Sequence, residues 1–129
     1  MPDSIHQEVV VAASPARVYQ ALTDASQFSA FTAGAPADIP REQGAAFSCF
    51  GGMITGRHIE LVPDRRIVQA WRAGNWPEGV YSIVRFELSS DGGGTRIALD
   101  QAGFPKGADQ HLEGGWHKMY WEPLKKYLG

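Results

Sequence analysis

His58 and Glu60 stand two apart in GGMITGRHIELVP, a spacing that places both side chains on one face of a strand and reads as H-x-E. A zinc deaminase uses that pair for its metal and its proton transfer, but it also needs a C-x-x-C, and this chain holds one cysteine, Cys49. His111 and His117 are six apart, roughly 240° around a helix, so one helical face cannot offer both to a metal. No G-x-S-x-G elbow occurs, and Cys49 has no base beside it in sequence; a small apolar strand residue is the better reading. GGMITG has the outer glycine spacing of a phosphate loop. Arg57-His58 replace the required Lys-Ser or Lys-Thr, however, and strand formers follow where a helix must begin. The glycines therefore read as backbone corners: Gly51-Gly52 as a turn at positive φ, Gly56 as a bulge, bend or close backbone approach inside a strand. No catalytic residue, metal site or cofactor is expected. An acid/base pair assembled from distant positions such as Glu60, Asp100 or His117 stays open.

The aromatic residues say more. Trp71, Trp76, Trp116 and Tyr120 fall on a strand, a loop and the last helix, so they could meet over one cavity and stack on an apolar ligand, with plain core packing as the alternative. Phe47, on the strand before the glycines, joins this candidate ligand-binding set. Arg57 shares strand parity with Met53, Thr55, Ile59 and Leu61. That parity would turn its guanidinium toward the apolar side, to hold a ligand carboxylate or an internal acid; snorkelling to the rim is the other possibility.

The elements that must position these residues follow from periodicity. IHQEVVVAA is a first strand, and Ser14-Pro15 caps and starts a helix over Ala16 to Asp24 with Val18, Leu22 and Tyr19 facing inward. SQFSAFTAGAP carries Phe28 and Phe31 on a second short helix that Gly34 and Pro36 end. Strands are expected at about Ala45–Phe50, Met53–Val62, Arg66–Arg72, Val80–Ser89 and Thr95–Gln101, as an antiparallel meander. Ala108 to Leu128 reads as a long amphipathic helix with Leu112, Trp116, Met119/Tyr120, Leu124 and Tyr127/Leu128 inward. Gly114-Gly115 and Pro123 oppose that helix; close approach to the sheet at the glycines and a kink at the proline would account for them, and a helix ending before Pro123 is the alternative.

The chain of 129 residues is read as one domain, 1–129, and its 43% hydrophobic content suffices for a single core. Twelve basic and fourteen acidic residues leave a net charge of −2, without the dense basic field that nucleic acid or an anionic membrane requires. The longest early apolar run is too short for a signal or membrane segment, and a cytoplasmic protein is expected.

SPARVYQALTD with FSAFTAGAP, then FSCFGGMITGRHIELVPDRRIVQAWR, WPEGVYSIVRFEL, GGTRIALDQAG and GGWHKMYWEPLKKYL together resemble the activator-of-Hsp90-ATPase-like domains of the START-type helix-grip superfamily. The pattern around FGGMITG and WPEG is most similar to the domain at the C-terminal end of the eukaryotic co-chaperone. The resemblance implies an α+β helix-grip fold, in which a curved antiparallel sheet wraps a long C-terminal helix and two short helices close one end. It also implies a non-catalytic binding domain whose groove takes a small apolar or amphipathic molecule. Two alternatives stand beside it: a regulator that binds an Hsp90-family ATPase, and an enzyme acting on a cyclic or acyl substrate in the cavity.

Overall fold

The computed structural model describes residues 4–128. Strand β1 (Ser4–Val11) alternates, burying Ile5, Val9 and Val11. Helix α1 (Pro15–Thr23) starts where the Ser14 Oγ accepts from the Arg17 N–H at 3.3 Å, and Pro15 loses nothing in a first turn whose amides have no helical partner. Asp24 ends α1 and caps α2 (Ala25–Phe31), its carboxylate accepting from the Gln27 N–H at 3.1 Å. The two helices thus meet at one residue, with Val18, Tyr19, Leu22, Phe28 and Phe31 buried.

Five more strands follow: β2 (Ala46–Cys49), β3 (Ile54–Val62), β4 (Arg66–Ala73), β5 (Ser82–Asp91) and β6 (Gly94–Ala102). They form one antiparallel sheet in the order β1-β6-β5-β4-β3-β2, a meander that the first strand closes. β5 carries the expected inner row Ser82, Val84, Phe86 and Leu88, but begins two residues later than Val80 because the Val80 N–H closes a turn onto the Pro77 carbonyl. Phe50–Gly52 make a tight helical turn with φ of 53°, 66° and 90° at Phe50, Gly51 and Gly52. Gly56 lies inside β3, where a Cβ would stand 1.8 Å from the Ala70 carbonyl oxygen; the position is a close backbone approach.

A bulge between His58 and Glu60 shifts the β3–β4 register. Before it, Ile54, Gly56 and His58 face inward; after it Leu61 does, and Ile59 is left 49% exposed. The shared face expected of His58 and Glu60 rested on an unbroken period of two and fails here, and the parity of Arg57 with Met53 and Ile59 holds but marks the outer face, since both are exposed. His58 and Glu60 lie on opposite faces, and Arg57 points outward, exposed, its Nη1 donating to the Gly44 carbonyl at 2.9 Å.

The C-terminal helix runs continuously through α3 (Asp109–Gly115), a π-helical turn (Trp116–Trp121) and α4 (Glu122–Leu128). The close approach expected at Gly114 and Gly115 is absent: a Cβ at either would meet nothing within 4 Å, because both lie away from the sheet. Pro123 neither ends the helix nor leaves a broken α ladder. The register has already slipped one residue ahead of it, with the Glu122 N–H bonding the His117 carbonyl. The slip has a packing consequence. On an α-helix Trp121 would point about 140° away from Trp116; here both are buried and their rings stack at 5.9 Å, 21° apart.

The outer face of the sheet is a ladder of ions. Arg66 joins Glu60 and Glu87, and a longer chain runs Arg85–Asp100–His6–Glu8–Arg96–Asp91. His6 sits between carboxylates at 2.7 Å and 2.8 Å, and hydrogen bonds to Asp100 and then Glu8 raise its pKa. Partial burial pushes Asp100 up, but the bonds from His6 and Arg85 outweigh it and the carboxyl is held below its ordinary range. Among the described residues no helix is long and apolar enough to cross a membrane.

Candidate functional site

Four of the sequence-derived site residues meet. Trp76, half-buried in the β4–β5 loop, packs edge-on against Trp71 at 5.7 Å; Trp71 lies 5.4 Å from Trp116, and Trp116 lies 4.4 Å from Tyr120. The row continues past the expected set to Phe50 and Phe28, at 5.6 and 5.7 Å from Tyr120, and through Phe31 to Tyr127 at 6.1 Å. The loop bearing Trp76 is fixed by Arg72, whose guanidinium donates to the carbonyls of Trp76 at 2.7 Å, Pro77 at 3.1 Å and Val80 at 3.2 Å. Polar satisfaction fixes the other end of the contact: Trp116 Nε1 donates to Gln101 Oε1 at 2.9 Å, Gln101 Nε2 to Ser82 Oγ at 3.1 Å, and Ser82 Oγ to the Trp71 carbonyl at 2.9 Å.

This row fills the sheet–helix interior. The enclosed void that remains, bordered by Phe47, Cys49, Gln69, Phe86 and Tyr120, measures about 10 Å³, room for about one water molecule. Trp71, Trp116, Tyr120 and Phe47 are each at most 5% exposed, so the side chains chosen to line a ligand cavity are themselves buried in the core. Arg57 is not among them, because it lies on the outer face of β3 between the inward Gly56 and His58. Phe47 stacks on His58 at 5.3 Å and 24°.

The chemistry of this interior is quiet. Burial lowers the His58 pKa, the Pro40 carbonyl partly opposing it, and neither ring nitrogen makes a well-formed hydrogen bond. Burial pushes the Cys49 thiol up to about 12 and Tyr120 well above its ordinary value, so both stay protonated. No carboxylate is buried among the described residues, and no group of three or more His, Cys, Asp or Glu stands together there as a metal site would require.

The larger concavity lies outside, between α2 and the C-terminal helix. It is an open groove of about 590 Å³, floored by Phe31, Phe50, Met119, Pro123 and Tyr127 and bordered by Lys118, Glu122 and Lys126. The sequence reading missed it, although a signal exists. Pairing Met119 with Tyr120, and Tyr127 with Leu128, as alternative inward residues conceals two stripes. Leu112, Trp116, Tyr120, Leu124 and Leu128 are buried, while Met119 and Tyr127 are 44% and 38% exposed on the neighbouring face.

Comparison with known proteins places the chain. Residues 12–129 match the family model described as activator of Hsp90 ATPase homolog 1-like protein. The human activator of 90 kDa heat shock protein ATPase homolog 1 is 30% identical over 116 residues, covering 90% of this chain and 34% of that protein. The mouse homolog 2 is 36% identical over 93 residues, 72% of this chain and 28% of that protein. The chain thus spans about a third of the length of the curated relatives it matches. Among solved structures, PFC0360w, an HSP90 activator from Plasmodium falciparum, superimposes with a TM-score of 0.93 at 25% identity, covering 99% of this chain and 97% of that one. With the wrapped sheet, the gripping helix and the family match over nearly its whole length, the chain belongs to the activator of Hsp90 ATPase homolog 1-like family.

Proposed function

We propose that this chain is a non-catalytic binding domain that acts by docking onto a protein partner, an ATPase of the Hsp90 family, in the cytoplasm. The closed interior carries the reading: a void of about 10 Å³ leaves surfaces, not a cavity, as the means of recognition. The names of the relatives, two activators of 90 kDa heat shock protein ATPase and an HSP90 activator, supply the partner class. The test is calorimetric titration of the full chain into the host's Hsp90-family ATPase, with the ATPase rate followed in parallel. Saturable binding is expected; no heat and an unchanged rate would dispose of the proposal.

A second reading, a small amphipathic ligand held between sheet and helix, draws on the unpartnered buried nitrogens of His58 and Trp71 in the interior. It requires Tyr120 and Phe28 to swing aside. Native mass spectrometry of the purified chain tests it, since a retained small molecule would be weighed directly. The cavity-enzyme alternative finds no support in a site whose buried ionisable groups are a neutral imidazole, a protonated thiol and a protonated phenol.

A further inference from the structure

Two features of the α2–helix groove ask for a reason beyond packing. Ala33 and Phe50, at φ of 60° and 53°, are two of the three side-chain-bearing residues held in left-handed backbone among those described, and both line it. Such conformations persist where the surrounding structure enforces them and gather at functional positions. The π-helical turn also lies on this wall, through Lys118 and Met119; π turns recur at functional sites.

The charge pattern is as specific. Lys118, Glu122 and Lys126 follow at intervals of four, hence in one row along the helix, and they are the charged residues of the groove. None is paired in a salt bridge among the described residues, whereas Arg66, Arg85 and Arg96 on the outer sheet all are. The groove is therefore locally basic on a chain of net charge −2. Its apolar floor is open along its length, a shape suited to one face of an amphipathic segment and too exposed to enclose a drug-sized molecule.

We infer that this groove docks an acidic amphipathic helical segment of the protein partner, its apolar residues on Phe31, Phe50, Met119 and Tyr127 and its carboxylates on Lys118 and Lys126. This rests on the protein-binding reading above and adds the surface and the chemistry of what it recognises. Lys118 and Lys126 set charge preference, and Glu122 between them favours a basic or neutral residue at the matching point of the bound segment.

Two probes test it. The first is a synthetic helical peptide with leucines at i, i+4 and i+7 flanked by glutamates, titrated into the isotope-labelled chain; the control replaces its glutamates by lysines. Amide shifts confined to residues 30–33, 50 and 118–127, with affinity at least about tenfold above the control, are expected. The second is the Hsp90-family ATPase, titrated with the wild type and with Lys118→Glu/Lys126→Glu, a double variant of exposed side chains whose folding is checked by its Tm. A loss of at least about tenfold is expected, together with a weaker salt dependence. If the ATPase binds both forms equally and the peptide shifts map elsewhere, the groove assignment is overturned while the partner reading stands. If the acidic peptide maps to the groove but the ATPase fails to bind, the assignment stands and the identity of the partner falls. Concentration-dependent dimers that bury Met119 and Tyr127 would show the groove to be a self-association face and would also overturn it.

Discussion

Replacing Gly56 by alanine should unsettle the sheet far more than a single methyl group suggests. The added Cβ would stand 1.8 Å from the Ala70 carbonyl oxygen and 2.9 Å from both the Ala70 carbonyl carbon and Phe47 Cε2, where Cβ atoms essentially never approach within 3.0 Å. Phe47 is a side chain and can give; the Ala70 carbonyl is backbone of the neighbouring strand and cannot. β3 and β4 must part locally by about 1 Å, enough to break a ladder hydrogen bond of ordinary length. Overpacking of about 1–3 kcal/mol plus about 1 kcal/mol for the lost bond gives about 2–4 kcal/mol. At about 3–5 °C per kcal/mol for a chain of this length, that lowers Tm by roughly 6–20 °C. Gly114→Ala is the matched control: nothing lies within 4 Å of its Cβ and the position is helical, so up to about 1 kcal/mol of stabilisation is expected. Thermal unfolding followed by circular dichroism measures both. A Gly56→Ala protein melting within about 3 °C of the wild type, less than 1 kcal/mol, would refute the close-approach reasoning.

Three further outcomes are expected. Gln101→Met keeps much of the side-chain shape but leaves the buried Trp116 indole N–H without its acceptor; a urea midpoint loss worth about 1–3 kcal/mol should follow, and less than about 0.5 would count against the network. The depressed pKa of His58 means that the unfolded chain binds a proton the folded one resists, so stability falls as pH drops below about 6.5. His58→Leu should flatten that limb, and identical acid limbs in the two proteins would remove His58 from the account. His6 has the opposite sign: its raised pKa adds stability that is complete below about 6.5 and fades as pH rises through the folded value. The deficit of His6→Gln, read from denaturant midpoints, should therefore shrink from about pH 6 to about pH 9; a constant deficit would contradict the imidazolium bridge.

What the sequence disclosed depended on how local each signal is. The Ser14-Pro15 start, the inner row Ser82, Val84, Phe86 and Leu88, and the turn glycines Gly51 and Gly52 are written in neighbouring residues and appear in the fold. The bulge after His58 is not local. It exists only in the pairing of β3 with β4, and one unpaired residue was enough to send Glu60 to the face opposite His58 and to turn Leu61 inward, away from the outer face that Arg57 shares with Met53 and Ile59. The π-helical turn likewise follows no pattern of period 3.6, so Trp121 was not counted with Trp116. The aromatic residues of the interior were legible as a group; whether they would enclose a space or fill it depends on packing that no spacing encodes. Residues 108–128 and their two stripes, with the outer one lining the groove, show the same limit from the other side.

The order of strands also bears on how the chain acquires its shape. β2 to β6 pair with immediate neighbours across turns and one loop, and so form a unit of short sequence separation. β1, by contrast, pairs among the described residues with β6, the last strand to be made, Ser4 against Ala102 and Val11 against Thr95. Gln7 in that strand bridges further still, its amide donating to the Glu113 carbonyl at 3.1 Å and accepting from the Trp121 indole at 2.8 Å. During synthesis the first strand must therefore wait, its apolar residues Ile5, Val9 and Val11 uncovered, until β6 has left the ribosome, and closing so long a span is expected to be slow compared with the neighbour pairings of β2 to β6.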